Sequence, residues 1–197
     1  ITEDQYCKPE TMYGCNKLYC EHLGRYYSGY YKRFETNNIN GLVDFRAIRF
    51  PGLISAHTLP TGGTTDYAPE MLHFAAQKSP YTCFVREDTK LPFMVMTDAI
   101  DSIINIMSVD KEQLSKTVYN ISSFSASVGE FKKIIQSYYR EAIIKFDMDE
   151  KRQSMVDSWP EDVDDNSARN DWNFSPVFNF EKAFKDYLIP EIRKQYA

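Results

Sequence analysis

Segments with helical spacing alternate with short β-rich segments along almost the whole chain of 197 residues. Apolar residues recur every three or four positions in the first kind and every second position in the second. Such alternation is typical of the α/β class, in which helices cover a mostly parallel sheet. The predicted helices are 13–34, 68–77, 97–107, a segment from a Ser125 or Ser127 cap to about 139, 161–172 and 180–196, and the predicted strands are 43–50, 81–85, 93–96, 117–121 and 142–146.

Glycines, prolines and polar runs set the predicted boundaries. Pro51 and Gly52 are expected to end the strand 43–50, and residues 53–55 then lead into a loop. The polar run 35–41 predicts a surface loop. Because proline has no N–H and cannot continue a helix without disturbing it, the last helix is expected to be interrupted near Pro190.

Composition excludes several classes of protein. With 43% hydrophobic and 15% aromatic residues, the chain can bury the core of one domain, or of one domain and part of another. The net charge is -5 and there is no basic run, which argues against nucleic-acid binding. No apolar segment approaches ~20 residues and no signal peptide is evident, so we expect no membrane partner and a cytoplasmic location. The four cysteines lack metal-ligand spacing and are expected to be free thiols.

The sequence T-M-Y-G-C-N-K, residues 11–17, places Tyr13 and Lys17 four positions apart at the start of a predicted helix. Positions i and i+4 share one face of a helix. A phenol titrates near pH ~10, and a nearby cation favours the phenolate. The pair is therefore a candidate general base that could take a proton from an alcohol.

Two structural interpretations of the same residues remain open. Tyr13 could be a half-buried aromatic beside a lysine that extends its ammonium group to water. Thr11 could be a helix N-cap or a hydroxyl of the active site. The spacing alone does not decide between structure and chemistry, because short motifs match freely by chance.

A second candidate site is G-G-T-T-D-Y, residues 62–67. Two glycines, two hydroxyls and an acid before a helix could simply be turn glycines and an N-cap. They could also present backbone N–H groups and hydroxyls to a small carboxylate.

The eight glycines of the chain do not form a glycine-rich strand–turn–helix of the dinucleotide-binding kind. If Tyr13 and Lys17 serve a nicotinamide cofactor, we expect the segment that binds its pyrophosphate to be absent from this chain.

Four pieces of sequence carry a family resemblance: T-M-Y-G-C-N-K (11–17), R-F-P-G-L-I-S (49–55), G-G-T-T-D-Y-A (62–68) and D-S-W-P (157–160). In this order they resemble the C-terminal part of an extended short-chain dehydrogenase/reductase. The resemblance is greatest to the NAD-dependent L-threonine 3-dehydrogenases related to sugar-nucleotide epimerases. A fifth piece, M-T-D-A-I-D (96–101), is similar to the wider superfamily.

The resemblance implies roles for the residues of these pieces. Tyr13 would be the catalytic base, Lys17 its electrostatic partner and a ligand of the nicotinamide ribose, and Thr11 a neighbour of the reacting alcohol. Pro51 and Leu53 would line the nicotinamide pocket. The substrate carboxylate would be held by Gly63, Thr64 and Thr65, and Trp159 would help to close the site. No metal is implied.

The implied reaction is the oxidation of the L-threonine hydroxyl by NAD, which gives 2-amino-3-oxobutanoate. Residues 1–56 would end a Rossmann-type dinucleotide-binding domain, and residues 57–197 would form mainly a substrate-binding lobe, with 93–122 partly returning to the Rossmann sheet. The N-terminal glycine-rich half would be a separate chain or lie outside this sequence. A homodimer through the tyrosine-rich helix is expected, since Tyr19, Tyr26 and Tyr30 lie near helical spacing, although packing within the chain would explain the same pattern.

Two other functions remain open. The first is a nucleotide-sugar epimerase or dehydratase of the same fold, which must neutralise a diphosphate. Candidate cations for that role are Arg140, Lys151, Arg152 and Arg169. The second is an inactive fragment or a subunit that needs a cofactor-binding partner chain.

Overall fold

The computed structural model describes residues 1–5, 7–32, 34 and 43–196. Helices and mostly parallel strands alternate in it, which confirms the predicted α/β class. The helices are α1 (Met12–Arg25), α2 (Tyr67–Ala76), α3 (Met96–Ser108), α4 (Val128–Tyr138), α5 (Glu150–Asp157), α6 (Asn166–Trp172), α7 (Phe180–Lys182) and α8 (Ile189–Gln195). The strands are β1 (Ala47–Arg49), β2 (Gly52–Ile54), β3 (Tyr81–Cys83), β4 (Lys90–Val95), β5 (Val118–Asn120), β6 (Phe124–Ser127) and β7 (Ile144–Phe146). Two π-helical segments, Tyr26–Tyr30 and Ala183–Leu188, and a 3₁₀ turn, Lys111–Gln113, complete the elements.

The described chain forms two compact units, each built from three segments. The first unit contains Ile1–Arg49, Asp101–Ile121 and Val163–Ser175, and the second contains Phe50–Ile100, Ser122–Asp162 and Pro176–Ala197.

In the first unit, helix α1 is tied to a parallel pair of strands, β1 and β5. The guanidinium of Arg49, at the end of β1, donates to both carboxylate oxygens of Glu21 on α1, at 2.8 and 2.7 Å. The same guanidinium donates to the backbone carbonyl of Glu3 at 2.8 Å. A bidentate arginine–carboxylate pair fixes orientation as well as distance, so it sets how α1 lies against the end of β1.

In the second unit, a three-stranded sheet has the order β2-β4-β6, with β2 and β4 parallel and β4 and β6 antiparallel. A separate parallel pair joins β3 and β7. The core lies on the three-stranded sheet, where the Phe93 ring is fully buried and contacts the rings of Tyr67, Phe124 and Phe131 at centroid distances of 6.0, 6.4 and 4.9 Å. Each fully buried ring of this size stabilises the fold by roughly 1.5–3 kcal/mol.

The predicted cap of α4 and the predicted break in the last helix are confirmed, whereas Thr97, predicted as the cap of the helix 97–107, lies inside α3. Ser127, and not Ser125, caps α4: its hydroxyl accepts from the Glu130 N–H, and the Glu130 carboxylate accepts from the Ser127 N–H. The interruption near Pro190 takes the form of the π-helical segment Ala183–Leu188, which directly precedes α8. Proline cannot donate to a carbonyl four residues back, and a wider turn accommodates that loss.

The prediction of one helix over 13–34 is wrong. Helix α1 ends at Arg25, a π-helical turn follows, and Lys32 has a φ of 55°, outside the helical region. Ser28 and Gly29 have poor helix propensity, and the rings of neighbouring tyrosines in this turn pack on one another at 5.2 to 6.0 Å. The loop predicted for 35–41 lies outside the described residues.

Several strand boundaries also differ from the prediction. The strand predicted for 43–50 covers only 47–49, because its partner β5 is three residues long and pairs only there. Residues 53–55, expected to begin a loop, lie mostly in β2, which pairs with β4 from Gly52 onward. The strand predicted to start at Phe93 begins at Lys90; Pro92 is tolerated because pairing with β2 starts at the following residue.

The prediction also differs from the structure for two helices: α6 begins later than expected, and α5 was not predicted. The helix predicted from 161 begins at Asn166, because the Asp164 carboxylate accepts from the Asn166 N–H and holds a turn before it. Helix α5 was not predicted, since its sequence E-K-R-Q-S-M-V-D is polar and buries only Gln153 and Val156. Asp149 caps this helix by accepting from the N–H groups of Lys151 and Arg152.

A buried histidine makes the stability of the second unit depend on pH. His73 on α2 is 2% exposed, its Nδ1 lies 2.8 Å from the Tyr196 hydroxyl, and burial lowers its pKa. Below pH ~6.5 the His73 imidazole becomes protonated in the unfolded chain, whereas in the folded chain it stays neutral to lower pH. We therefore expect unfolding free energy to fall as pH drops below that value, by up to about 1.4 kcal/mol per pH unit.

The measurement is urea unfolding between pH 7.5 and 5.5 for the wild type and for His73→Leu. The variant is expected to lose the pH dependence, whereas His57→Leu, at an exposed histidine, is expected to keep it. Equal slopes in the wild type and His73→Leu would show that His73 does not carry the effect.

Candidate active site

The Tyr13–Lys17 pair lies in the first turns of α1, in the first unit. Lys17 Nζ lies 5.2 Å from the centroid of the Tyr13 ring. The Tyr13 side chain is 73% exposed, so the interpretation of Tyr13 as a half-buried aromatic is wrong. The pair presents a phenol and an ammonium group together on one accessible face.

Thr11 caps this helix, as one of the two interpretations predicted. Its Oγ1 accepts from the Gly14 N–H at 3.1 Å, and its backbone carbonyl accepts from the Cys15 N–H at 2.9 Å. A Cβ on Gly14 would lie 2.7 Å from Cβ of Pro9, so the glycine lets the preceding loop approach the helix closely. The loop and the cap together fix the start of the helix one residue before Tyr13.

Pro51 and Leu53 flank Gly52 at the start of β2, in the second unit, and both are partly exposed. Residues two apart on a strand point to the same face. The opposite face at Gly52 lies against the Phe93 ring, where an added Cβ would be 2.7 Å from two ring carbons. The strand therefore turns Pro51 and Leu53 away from the core and leaves them an accessible apolar edge.

The loop Gly63–Thr65 precedes α2, also in the second unit, and the Asp66 carboxylate binds the backbone N–H of Gly63. One oxygen of that carboxylate, Oδ2, accepts from the N–H groups of Gly63 at 2.7 Å and Thr61 at 3.0 Å. Gly62 has a φ of 90°, a conformation that glycine adopts without strain. The Gly63 N–H, which the sequence assigned to a substrate carboxylate, thus binds a carboxylate of the protein.

Asp66 occupies the N-cap position of α2 but makes no cap hydrogen bond to that helix. Its side chain bonds backward into the loop, so a simple helix cap does not describe the arrangement, and the Gly63 N–H is occupied by a carboxylate of the protein. Sequence reasoning included Asp66 in the motif and missed this role; the signal was only the presence of an aspartate, a residue whose short side chain commonly bonds to nearby backbone N–H groups.

The other donors of this loop are the backbone N–H groups and the hydroxyls of Thr64 and Thr65, and both residues are partly exposed. Thr64 Oγ1 lies 3.8 Å from the sulfur of Met155, on α5. Trp159 follows the end of α5 and is 37% exposed. Its backbone N–H donates to the Val156 carbonyl at 3.0 Å. The second unit therefore brings the threonine loop and helix α5 into contact.

Neither a metal-binding cluster nor a helix that could span a membrane is present among the described residues. Within residues 1–5, 7–32, 34 and 43–196, no group of three His, Cys, Asp or Glu side chains is arranged to hold a metal ion. Among the described helices, none has the length and hydropathy that a membrane span requires. Cys83 is buried, and burial raises the pKa of its thiol to about 11, while Cys7, Cys15 and Cys20 are exposed free thiols.

Comparisons with known proteins place these features in context. No family model matches the chain. The chain is 39% identical over 173 residues to an uncharacterized epimerase/dehydratase of Staphylococcus haemolyticus, a match that covers 87% of this chain and 51% of that protein. It is 37% identical over 172 residues to the mitochondrial L-threonine 3-dehydrogenase of Bos taurus, which covers 87% of this chain and 43% of that protein. The chain thus spans about half the length of the curated relatives it matches.

Solved structures of L-threonine dehydrogenases and of a sugar-nucleotide epimerase also match the chain. The L-threonine dehydrogenase of Clostridium difficile matches with a TM-score of 0.85 and 36% identity, over 96% of this chain and 56% of that one. The GalE-like L-threonine dehydrogenase of Cupriavidus necator matches with a TM-score of 0.83 and 36% identity, over 93% and 62%. A nucleoside-diphosphate-sugar epimerase of Agrobacterium tumefaciens, at a TM-score of 0.73 and 22% identity, shares the fold. The predicted resemblance to L-threonine 3-dehydrogenases and their epimerase/dehydratase relatives is confirmed.

The role of Asp66 in the loop can be tested directly. Asp66→Ala removes the acceptor of the Gly63 and Thr61 N–H groups, so we expect those two amides to exchange with solvent roughly tenfold faster, the effect of losing a hydrogen bond to a charged group. Amide exchange measured by NMR gives the rates. Asp66→Asn keeps a side-chain oxygen and should stay close to the wild type; unchanged exchange in Asp66→Ala would mean that the carboxylate does not hold the loop.

Proposed function

We propose that the chain supplies the catalytic and substrate-binding residues of an NAD-dependent oxidoreductase that oxidises the hydroxyl of L-threonine to give 2-amino-3-oxobutanoate. The observation that carries the proposal is the Tyr13–Lys17 pair on one face of α1, in a chain 36% identical to two L-threonine dehydrogenases over more than nine-tenths of its length.

Tyr13 acts as the general base in this proposal and takes the proton of the substrate hydroxyl. Lys17 places its ammonium group 5.2 Å from the centroid of the Tyr13 ring, on the same face of the helix. The helix N-terminus adds a partial positive charge at the same end of α1. Thr11, whose oxygen accepts from Gly14, keeps its own hydroxyl proton available for a hydrogen bond to the reacting alcohol.

The nicotinamide ring is assigned to Pro51 and Leu53, which offer an accessible apolar edge on β2. A ribose hydroxyl is assigned to Lys17, whose ammonium group is exposed and can donate a hydrogen bond. When bound, NAD supplies the hydride acceptor. We assign the glycine-rich pyrophosphate-binding segment to polypeptide outside these 197 residues, in the same protein or in a partner chain, and residues 1–56 to the end of that dinucleotide-binding domain.

The substrate carboxylate is assigned to the loop Gly63–Thr65. Because the Gly63 N–H already binds Asp66, the donors assigned to the substrate are the backbone N–H groups and the hydroxyls of Thr64 and Thr65, and Gly63 contributes the turn that presents them. Trp159, partly exposed at the end of α5, closes over the substrate in this proposal and excludes water.

Nucleotide-sugar epimerisation or dehydration is the second candidate, and the observation in its favour is the identity of 39% to an epimerase/dehydratase. A diphosphate needs available cations, and two of the four candidates are engaged. The Arg169 guanidinium pairs with Asp165 at 2.7 Å, and that of Arg152 lies 4.3 Å from the Phe84 ring centroid. A third possibility, a subunit without activity of its own, depends on whether the cofactor-binding segment belongs to the same polypeptide.

The test of the base is Tyr13→Phe in the natural polypeptide that carries this sequence, with NADH formation from L-threonine as the readout. Loss of a general base is expected to lower kcat at least ~100-fold. Tyr19→Phe, an exposed tyrosine on the same helix, is the matched control and should retain wild-type turnover. Wild-type turnover in Tyr13→Phe would overturn the assignment.

Product analysis alongside the NADH assay separates the candidate reactions. An epimerase makes no net NADH, so UDP-sugars are incubated with the protein and their products are identified chromatographically. Conversion of a UDP-sugar without threonine-dependent NADH would favour the second candidate.

A homodimer through Tyr19 on α1 and the tyrosines of the π-helical segment Tyr26–Tyr30 is also proposed. Tyr19, Tyr26 and Tyr30 remain 63, 45 and 55% exposed, so packing within the described chain does not cover them. Light scattering should give twice the mass of one polypeptide at micromolar concentration. Tyr26→Glu with Tyr30→Glu should give the monomer, because buried carboxylates without partners are costly. Val177→Glu, at another exposed apolar residue, should leave the mass unchanged; a monomeric wild type would rule the dimer out.

A further inference from the structure

Helix α5 is anchored through a buried amide, that of Gln153. This side chain is 3% exposed although the helix around it is polar. Its Oε1 accepts from the backbone N–H of Arg86 at 2.8 Å, and its Nε2 donates to the Thr89 hydroxyl at 3.0 Å and to Asp157 Oδ1 at 2.7 Å. Both hydrogens and the oxygen of the amide are therefore used, which is the condition under which a buried polar group fixes a structure.

A second link joins the same elements but carries less energy. The guanidinium of Arg86 makes a bidentate pair with Asp157, at 2.9 Å for each oxygen, and this pair lowers the pKa of the Asp157 carboxyl. Both side chains are nearly half exposed, and an exposed ion pair contributes little net stability. Gln153 is consequently the stronger anchor, because leaving its buried partners unpaired would cost far more than losing a solvated ion pair.

Helix α5 reaches the threonine loop by two routes. Met155, two residues after Gln153, places its sulfur 3.8 Å from the Thr64 hydroxyl. Arg152, one residue before Gln153, places its guanidinium 4.3 Å from the centroid of the Phe84 ring. That ring packs edge to face on Tyr67, at 6.2 Å, and Tyr67 is the first residue of α2, directly after the loop and Asp66.

We propose that Gln153 is a positioning residue: it sets the place of α5, and through Met155 and Arg152 it sets the conformation of the loop Gly63–Thr65. This inference rests on the proposed function in so far as that loop binds the substrate carboxylate. Gln153 itself touches no substrate. Its effect appears as an ordered loop before the substrate arrives, which lowers the entropy cost of binding.

The experiment compares Gln153→Met, which keeps the length of the side chain and removes its hydrogen bonds, with the wild-type protein. Hydrogen–deuterium exchange followed by mass spectrometry reports on peptides that cover residues 61–67. We expect exchange in these peptides to be at least about fivefold faster in the variant, because the loop loses its support from α5. In the L-threonine assay we expect KM to rise about fivefold with kcat within about twofold of the wild type, the pattern of lost ground-state positioning.

Gln136→Met is the matched control. Gln136 lies on α4 and its Nε2 donates to the Ala142 carbonyl at 3.1 Å, so the same substitution removes a hydrogen bond that does not reach α5. Exchange in residues 61–67 should stay at the wild-type rate in this control. Equal exchange in Gln153→Met and Gln136→Met would overturn the proposal.

If Gln153→Met does not fold, the double variant Met155→Ala with Arg152→Ala decides, because it removes both routes and leaves the Gln153 amide intact. Faster exchange at residues 61–67 supports the proposal, and unchanged exchange contradicts it. The exchange measurement requires no enzyme turnover, so it tests the positioning role independently of the proposed function. A protein that fails to oxidise L-threonine but shows the loop effect would refute the reaction and keep the positioning role.

Discussion

The second unit depends on the close approach of the Phe93 ring to the backbone of β2. Two ring carbons would lie 2.7 Å from a Cβ at position 52, a distance that real Cβ atoms do not show, so only glycine fits there without a shift of ring or strand. The same ring packs on Tyr67 at 6.0 Å. Since Pro51 and Leu53 flank the glycine and Tyr67 follows the threonine loop, one buried ring fixes both candidate binding elements of this unit. Their spacing is set by the core and not by the loops themselves.

The parts of the structure that the sequence predicted are those in which local chemistry decides. A serine followed three residues later by a glutamate satisfies two helix N–H groups in a reciprocal way, and Ser127 with Glu130 does so here. Thr11 caps α1 for a similar reason. The face shared by Tyr13 and Lys17 follows from helix geometry alone. In each case the partners are within four residues of one another, so no knowledge of distant contacts was needed.

What escaped prediction depends on partners far along the chain. Helix α5 has almost no apolar face, and its main anchor is an amide that bonds to residues 64 positions and more away. Strand β1 is shorter than its alternating sequence, because β5 offers only three residues to pair with. The sequence around Gly63 predicts an anion site that uses the Gly63 N–H, whereas in the structure the Asp66 carboxylate already accepts from the N–H groups of Gly63 and Thr61. Periodicity and motif spacing cannot reveal these features, since each is settled by tertiary contact.

The loop at Gly63 shows how such contacts bear on chemistry. Replacing the Asp66 carboxylate by that of a substrate would exchange one charge-assisted pair of hydrogen bonds for another, with little gain in enthalpy. Asp66 also has the advantage of being tethered three residues away, at an effective concentration in the millimolar range or above. A free amino acid is therefore poorly placed to displace it, and the N–H groups of Gly63 and Thr61 stay bound to Asp66. In the proposed function, recognition then falls to the donors of Thr64 and Thr65, which bind a substrate well only if the loop that carries them is already ordered. Asp66 and α5 would both supply that order, so under this proposal a residue that never meets the substrate would influence how well it binds.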